Sequence, residues 1–382
     1  MSFASYLKQK QLHRWGADYL RHMAVRRREG RAYEGTRHLL FSLCDHWEPL
    51  FGGVSDARGD ERVRAWEVGY PTLADRFRDA DGVAPQHSFF FPGEHYRPRW
   101  IDKLADLSRR RYGEVELHLH HDGDTSESLK RDVERYVGEL ASHGHLSRDA
   151  NGRPLFAFIH GNWCLSNSRP DGKYCGVDDE VELLHRLGCY ADFTFPAPES
   201  DAQPRAVNQI FWPSGDLTRR RAYEDGERAK VGDRRSDRML FVCGPSALFL
   251  DRAKNRSPTE GRSPTFRIES SALTAHDPAT AARVALWGDL GISVEGRPEW
   301  AFVKMHTHGA PDREAASLLG DGGARLHEEL AAKYNDGMRW KLHYVTARET
   351  FNIAAAAMDG KSGDPGQYRD YVLAPPPIRV SG

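Results

Sequence analysis

Apolar and polar residues follow one another along this chain in a pattern that predicts strands alternating with helices. Short apolar or alternating runs predict strands at residues 38–47, 86–91, 114–122, 155–160, 190–195, 239–243, 300–306 and 340–345. Helical periodicity predicts helices at residues 19–37, 61–79, 99–110, 126–142, 178–187, 279–290 and 324–334. Strands that alternate with helices imply a parallel sheet, closed or open, so we expect an α/β protein.

The same pattern divides the chain into three parts. Residues 1–37 are predicted to be a basic N-terminal helical segment, residues 38–350 the α/β domain and residues 351–382 a C-terminal tail. Apart from the strand at 239–243, residues 199–264 are polar, rich in arginine and broken by Gly, Pro and Ser. They offer little apolar area for a core of their own, so we expect an insertion before the last strands rather than a separate domain.

The strand at residues 114–122 is unusually rich in histidine. Side chains alternate along a strand, so its apolar residues share one face while Glu116, His118 and His120 share the other. His121 follows at the exit of the strand. A face of imidazole and carboxylate groups is typical of a metal site or an acid–base site on a scaffold strand.

Further reactive side chains fall at or near the carboxyl ends of the other predicted strands. They are Asp45, His46, His160, Asp192, His306 and His308. Barrels of parallel strands place their active sites at that end, which is why we expect these groups to be functional rather than core residues.

Composition narrows the classes of partner and compartment. Lys and Arg (54) nearly balance Asp and Glu (55), so no overall field indicates a nucleic acid or an anionic membrane as partner. The N-terminus lacks the apolar stretch of a signal peptide, and no segment approaches the roughly 20 apolar residues of a transmembrane span. We therefore expect a cytoplasmic protein. The 5 cysteines include no Cys-x-x-Cys pair, so histidine and carboxylate would have to hold any metal.

Six motifs, in their order and spacing, resemble the polysaccharide deacetylase superfamily, also called NodB-like or carbohydrate esterase family 4. The resemblance runs from about residue 38 to about residue 345, outside the insertion. The motifs are Leu-Cys-Asp-His at 43–46, His-Ser-Phe-Phe-Phe at 87–91, Glu-Val-Glu-Leu-His-Leu-His-His at 114–121, Phe-Ile-His-Gly-Asn-Trp at 158–163, Gly-Cys-Tyr-Ala-Asp at 188–192 and Val-Lys-Met-His at 303–306.

The resemblance implies a distorted (β/α) barrel and a metal-dependent hydrolase that removes an N-acetyl or related acyl group from an amino sugar or saccharide precursor. Zinc is the metal expected first, with cobalt, nickel or iron as alternatives on the same ligands. The resemblance also implies that His306 donates a proton to the leaving nitrogen and that Asp192 holds His306 in its protonated form.

Two departures from the family pattern leave alternatives open. Where the family has paired aspartates, Asp45 is followed by His46, so either Asp45 is the general base and His46 a ligand, or Asp45 is itself a ligand. His118 is expected to bind the metal with one of His120, His121 or Asp122 as its companion.

The loop at residues 162–178 is long and polar and is predicted to bind a carbohydrate or a sugar-containing small molecule. His160, Asn162 and Trp163 are the candidate contacts, with the tryptophan stacking on a sugar face. An ordinary crossover loop is the alternative. Two other functions stay open: a glycoside hydrolase that pairs Asp45 with Asp192 or Glu48, or a non-catalytic carbohydrate-binding protein.

Overall fold

The protein is a mixed α/β structure. The computed structural model describes residues 3–251 and 265–379, and within them the chain forms ten α-helices and thirteen strands. The strands are β1 (Arg37–His46), β2 (His87–Pro92), β3 (Gly113–Leu119), β4 (Ser147–Arg148), β5 (Pro154–His160), β6 (Cys189–Asp192), β7 (Ile210–Pro213), β8 (Gly226–Arg228), β9 (Leu240–Val242), β10 (Ala247–Asp251), β11 (Thr265–Glu269), β12 (Trp300–Thr307) and β13 (Trp340–Tyr344).

The helices mostly connect one parallel strand to the next. They are α1 (Phe3–Gln9), α2 (Leu12–Ala32), α3 (Asp56–Ala74), α4 (Pro98–Arg109), α5 (Ser126–Ser142), α6 (Glu180–Leu187), α7 (Ala281–Leu290), α8 (Asp312–Leu318), α9 (Asp321–Tyr334) and α10 (Ala347–Met358). The start of α5 is fixed by a capping box in which Thr125 and Ser128 satisfy each other's backbone amides. None of the helices among the described residues is both long enough and apolar enough to span a membrane.

One large, mostly parallel sheet organises the fold. Its strands follow the order β12-β1-β2-β3-β5-β6-β9-β7-β8, with β13 added beside β1 and β4 beside β5. Every pairing from β12 to β9 is parallel, whereas β7 and β8 are antiparallel at the far end. The α/β class expected from the sequence is therefore confirmed. Within the described ranges the strand pairing does not close into a barrel.

Alternation along the strands gives the sheet two different faces. The odd-numbered residues of β1, such as Leu39 and Phe41, pack with α7 and α9, and those of β2 and β3 pack with α3, α4 and α5. The even-numbered residues Leu40 and Cys44 point to the opposite face, where they share a core with α10. This alternation decides which side chain of a neighbouring pair, such as Asp45 and His46, faces which layer.

Part of the stretch predicted as an insertion belongs to the main sheet. β9 pairs in parallel with β6, and β7 and β8 extend the sheet beyond it. β9 confirms the strand predicted at residues 239–243, whereas β7 and β8 are only four and three residues long and give too little periodicity to stand out between polar loops. Residues 252–264 of the predicted insertion lie outside the described residues.

The two ends of the chain also pack on the domain. Trp15 of α2 is buried against Val207 and Ile268, so the basic N-terminal segment contacts the stretch around β7. The predicted boundary at residue 350 falls inside α10, whose residues are almost all buried. Of the terminal segments, residues 1–2 and 380–382 lie outside the described part of the chain.

Candidate metal centre

Four histidines converge where β1, β3 and β12 end. The ring of His46 lies 4.7 Å from that of His118, 4.7 Å from that of His308 and 5.9 Å from that of His306, measured between centroids. The strand register explains the approach, because Cys44 of β1 pairs with His306 of β12, and His46 lies one step further along the same face.

Glu48 lies at the centre of these imidazoles. Its Oε1 is 3.2 Å from Nε2 of His118 and 3.0 Å from Nε2 of His120, and its Oε2 is 3.1 Å from Nδ1 of His308. Only 2% of its side chain is exposed. Burial alone would raise the pKa of Glu48, but hydrogen bonds from the three histidines outweigh it and hold the pKa well below its ordinary value.

The histidines of β3 are oriented so that Nε2 faces Glu48. Nδ1 of His118 lies 2.9 Å from the carbonyl oxygen of Ile159, and Nδ1 of His120 lies 2.6 Å from Oε1 of Glu94. Each Nδ1 therefore faces an oxygen that can hold its proton, so Nε2, which donates to Glu48 in this structure, is the nitrogen that would give up its proton to bind a metal. Histidines that bind metals are held in this way.

His46 completes a set of ligand atoms. Neither of its ring nitrogens has a hydrogen-bond partner among the described residues, although the side chain is fully buried. Burial lowers the pKa of His46 well below its ordinary value, so the ring is neutral. One ligand atom each from His46, Glu48 and His118 lie within 4.8 Å of one another, so this buried cluster could hold a metal ion.

Asp45 lies away from this cluster. Its Oδ2 is 2.8 Å from Nε2 of His87, and its Oδ1 accepts a hydrogen bond from the backbone amide of Gly309 at 2.6 Å. The reason is the alternation of β1, which directs Asp45 to the layer of Trp66 and His87 while His46 faces the cluster.

Asp192 and His306 are not hydrogen-bonded to each other in the described structure. Asp192 accepts hydrogen bonds from the amide and the hydroxyl of Thr194, at 3.0 and 2.7 Å. Its burial raises its pKa to about 7. Nδ1 of His306 is buried and lacks a partner. The expected contact in which Asp192 holds His306 is thus absent, because the side chain of Asp192 turns back onto its own chain.

His121 and His160 belong to a second group of side chains. The rings of these two histidines lie 4.7 Å apart, and Nε2 of His121 is 3.1 Å from Oε1 of Glu180. The chain has passed the end of β3 at His121, which removes it from the face of His118. Of the three candidates for the companion of His118, His120 is the one beside Glu48, while Asp122 accepts a hydrogen bond from the amide of Tyr174.

A cavity of about 540 Å³ opens beside the first cluster. His306 and His308 form part of its wall, and Asn162, Trp163 and Tyr174 come from the loop that was predicted to bind substrate. The Trp163 ring lies 5.9 Å from the His46 ring, so the cavity and the cluster are adjacent.

Several site residues were not identified from the sequence as ligands. Glu48 lies in the first cluster, Cys175 and Glu180 lie in the second with His121 and His160, and Glu94 holds His120 beside the first. The spacing His46-x-Glu48 carries a signal, because two residues apart on an extended chain share a face. The position of Glu94, in the turn after β2, gives no such signal in the sequence.

Comparison of the chain with family models, with curated proteins and with solved structures finds no match in any of the three.

Proposed function

We propose that this protein is a metal-dependent hydrolase that removes an N-acetyl or related acyl group from an amino sugar or saccharide precursor. The observation that carries the proposal is the convergence of His46, Glu48 and His118 beside a cavity whose wall includes a tryptophan and two further histidines. The expected reaction agrees with the resemblance of the sequence motifs to polysaccharide deacetylases.

His46, Glu48 and His118 are the residues that would hold the metal, with His120 and His308 beside them. Imidazole nitrogens and one carboxylate suit zinc, and cobalt, nickel or iron accept the same donors. When bound, such an ion would lower the pKa of a coordinated water and polarise the carbonyl of the substrate.

The cavity supplies the groups that bind the substrate and move protons. Trp163 and Tyr174 offer aromatic faces to the apolar side of a sugar ring, while Asn162 and Arg169 offer donors to its hydroxyls. In this proposal His306 takes a proton from the attacking water and passes it to the leaving nitrogen, since it lines the cavity and burial lowers its pKa well below the ordinary value, which leaves the ring neutral beforehand.

Asp45 and Asp192 have different roles in the proposal from those that the family pattern implies. Asp45 positions the turn after β12, because it accepts the Gly309 amide immediately after His308. Asp192 holds Thr194, whose hydroxyl oxygen accepts a hydrogen bond from the amide of His160. Both aspartates therefore act on the loops at the strand ends rather than on the substrate.

A barrel of the deacetylase type is part of the same proposal. Irregular chain outside the named strands contacts β12: Ala272 pairs in parallel with His306, and Gly244, two residues after β9, approaches the carbonyl of Lys304 so closely that a Cβ would lie 2.3 Å from it. A cytoplasmic location is supported by the cysteines, which are all buried free thiols in the described structure.

The glycoside hydrolase alternative receives less support. Of its candidate carboxylates, Glu48 is surrounded by histidines, Asp45 faces another layer and Asp192 is bonded to Thr194. No pair of them faces the cavity, as two-carboxylate hydrolysis requires.

The test is acetate release from a panel of N-acetylated amino sugars, together with elemental analysis of protein purified without a metal-chelating tag. We expect His118→Ala to lose one equivalent of metal and the activity, and His143→Ala, a histidine bonded to Asp102 on α4, to keep both. Full metal content and activity in His118→Ala would contradict the proposal. Metal with sugar binding but no hydrolysis would favour the non-catalytic binding protein.

A further inference from the structure

A second group of potential ligands lies on the other side of the ends of β3 and β5. It consists of His121, His160, Cys175 and Glu180, which we call the Cys175 cluster. All four side chains are buried, and one ligand atom from each lies within 4.8 Å of every other. Four buried side chains with this chemistry rarely meet by packing alone, because imidazole and carboxylate groups are costly to remove from water.

Glu180 is the centre of the cluster. Its Oε1 is 3.1 Å from Nε2 of His121 and 3.9 Å from Nε2 of His160, and its Oε2 is 3.2 Å from Sγ of Cys175. Ligands around a tetrahedral zinc with bonds of about 2.0–2.3 Å stand about 3.3–3.8 Å apart. The observed distances bracket that range, so small side-chain rotations would bring all four atoms to one ion.

We propose that the Cys175 cluster is a structural metal site that binds zinc or a similar thiophilic ion. Four protein ligands close a tetrahedral shell and leave no position for water, which distinguishes structural from catalytic zinc sites. The thiolate of Cys175 also selects for a soft ion over magnesium or calcium.

The surroundings of the two histidines support this assignment. Nδ1 of His121 lies 3.2 Å from Oδ2 of Asp124 without a formed hydrogen bond, and a small rotation of the ring would let this carboxylate hold the proton on Nδ1 and leave Nε2 free. Nε2 of His160 is fully buried, points towards Glu180 and has no hydrogen-bond partner in the described structure. Buried polar atoms without a partner are rare and point to a missing interaction.

Coordination through Nε2 of His160 has one structural consequence. Nδ1 of this ring accepts a hydrogen bond from the amide of Asn162 at 3.2 Å, so a proton on Nδ1 requires that amide to turn away. Asn162 lies in the wall of the cavity, and the next residue is Trp163. Metal binding at the Cys175 cluster would therefore set the conformation of the loop that forms this wall.

The connectivity gives the ion a mechanical role. His121 follows β3, His160 ends β5, Glu180 begins α6 and Cys175 belongs to the loop at residues 161–179. One ion would join four parts of the chain and fasten a loop that has little regular structure. The same argument does not make a metal site of a third group, formed by His38, His343 and Asp364. There the rings of His38 and His343 hydrogen-bond to each other at 2.8 Å.

The test uses cobalt(II) as a spectroscopic probe in the full-length protein. A thiolate bound to cobalt gives a charge-transfer absorption band in the near ultraviolet. Of the two described clusters, only the Cys175 cluster contains a cysteine, so the band would report on this site. We expect the band in cobalt-loaded wild-type protein and its loss in Cys175→Ser. Cys164→Ser removes another buried cysteine of the same loop and should keep the band.

The wild-type measurement decides the question even if Cys175→Ser does not fold. X-ray absorption of the zinc-loaded wild-type protein should show a sulfur ligand at about 2.3 Å. Absence of both the cobalt band and the sulfur ligand, or a band that persists in folded Cys175→Ser, would overturn the proposal. His118→Ala should keep the band, so failure of the proposed hydrolase and failure of this site give different results.

Discussion

At the scale of single residues, Glu48 decides whether the candidate centre can form. It is a buried anion whose two oxygens meet three imidazoles, and His46 supplies a fourth ring beside it. A buried carboxylate in this position is stable only while cations or polarised N–H groups surround it. The negative charge of Glu48 would therefore attract a metal cation to this centre.

Glu48→Gln should abolish metal binding at this centre while leaving the fold intact. The amide has almost the same shape but no charge, and we expect a loss of affinity larger than the roughly 100-fold that loss of an outer hydrogen-bond partner costs. The measurement is metal affinity by competition with a chelator.

Asp45→Asn is the matched control, because it makes the same chemical change three residues earlier on the face directed at His87. The Asp45→Asn protein should keep its affinity for the metal at this centre. Equal losses in the two variants would show that the choice of Glu48 over Asp45 is mistaken.

Gly161→Ala should weaken the same centre by displacing His120. A Cβ at this position would lie 2.2 Å from Cδ2 of His120, and that ring is held between Glu48 and Glu94. We expect a loss of about 10–100-fold in metal affinity, the range found when the support of a ligand is removed.

Gly138→Ala serves as the control for the glycine substitution. A Cβ at Gly138 of α5 would meet no atom within 4 Å, so this change should leave metal binding unaltered and stabilise the helix by up to about 1 kcal/mol. Unchanged affinity in Gly161→Ala would mean that His120 is not part of the centre.

How much of the site could be predicted depends on the range of the contacts. The alternation of β3 places Glu116 and His118 on one face, and this follows from the strand alone. That Glu48 would reach His118 depends on the pairing of β1 with β2 and of β2 with β3, which no local pattern reveals. The same holds for the second cluster: no local pattern reveals that Cys175 and Glu180 meet His121 and His160.

At the scale of elements, the strongest patterns gave the best predictions. The helix predicted at residues 126–142 has those bounds in the structure, because its capping box and its apolar stripe agree. β7 and β8 show the opposite case. They are too short for periodicity to be distinguished from an irregular loop, and they form because a neighbouring strand offers its hydrogen bonds.

A buried ion pair fastens helix α10 to β3. Nη2 of Arg348 lies 2.9 Å from Oε1 of Glu114 on β3, and about 1% of each side chain is exposed. Arg348→Met leaves that carboxylate buried without its cation, so we expect the free energy of unfolding to fall by about 3–5 kcal/mol in urea titrations.

Arg234→Met is the comparison for Arg348→Met. Arg234 pairs with Asp359 at the end of α10, where 41% of the arginine side chain is exposed, so its loss should cost at most about 1 kcal/mol. Adding Glu114→Gln to Arg348→Met should recover part of the stability. Similar costs for the two arginine variants would show that the Glu114 pair does not fasten α10.

At the scale of the whole molecule, the sheet brings together groups that are distant in sequence. β1 lies between β12 and β2 and also pairs with β13, so its end meets residues from both halves of the chain. The alternation of strands and helices predicted a parallel sheet but not this order. Order depends on which faces bury the most apolar area, and that is a property of all the elements at once.

Stability of the whole fold should fall in mild acid for a reason independent of the metal clusters. Burial lowers the pKa of His22 and of His145 from 6.5 to about 4, and each ring faces a backbone carbonyl through Nε2. Arg228 donates to Nδ1 of His22, which fixes that ring as neutral. Between about pH 6.5 and about pH 4 the unfolded chain therefore binds more protons than the folded one.

Stability contributed by these histidines is complete above about pH 6.5 and is lost as the pH falls towards about 4, on the order of 2–3 kcal/mol for each.

The measurement is the free energy of unfolding in urea across this window for wild-type protein and for the double variant His22→Gln/His145→Gln. Glutamine keeps an Nε2 donor but cannot be protonated, so the variant should show a shallower dependence on pH. Metal ligands are the same in both proteins and cancel in the comparison. Identical slopes would mean that these two histidines take up protons in the fold as readily as in the unfolded chain, which their burial and the hydrogen bond from Arg228 to His22 argue against.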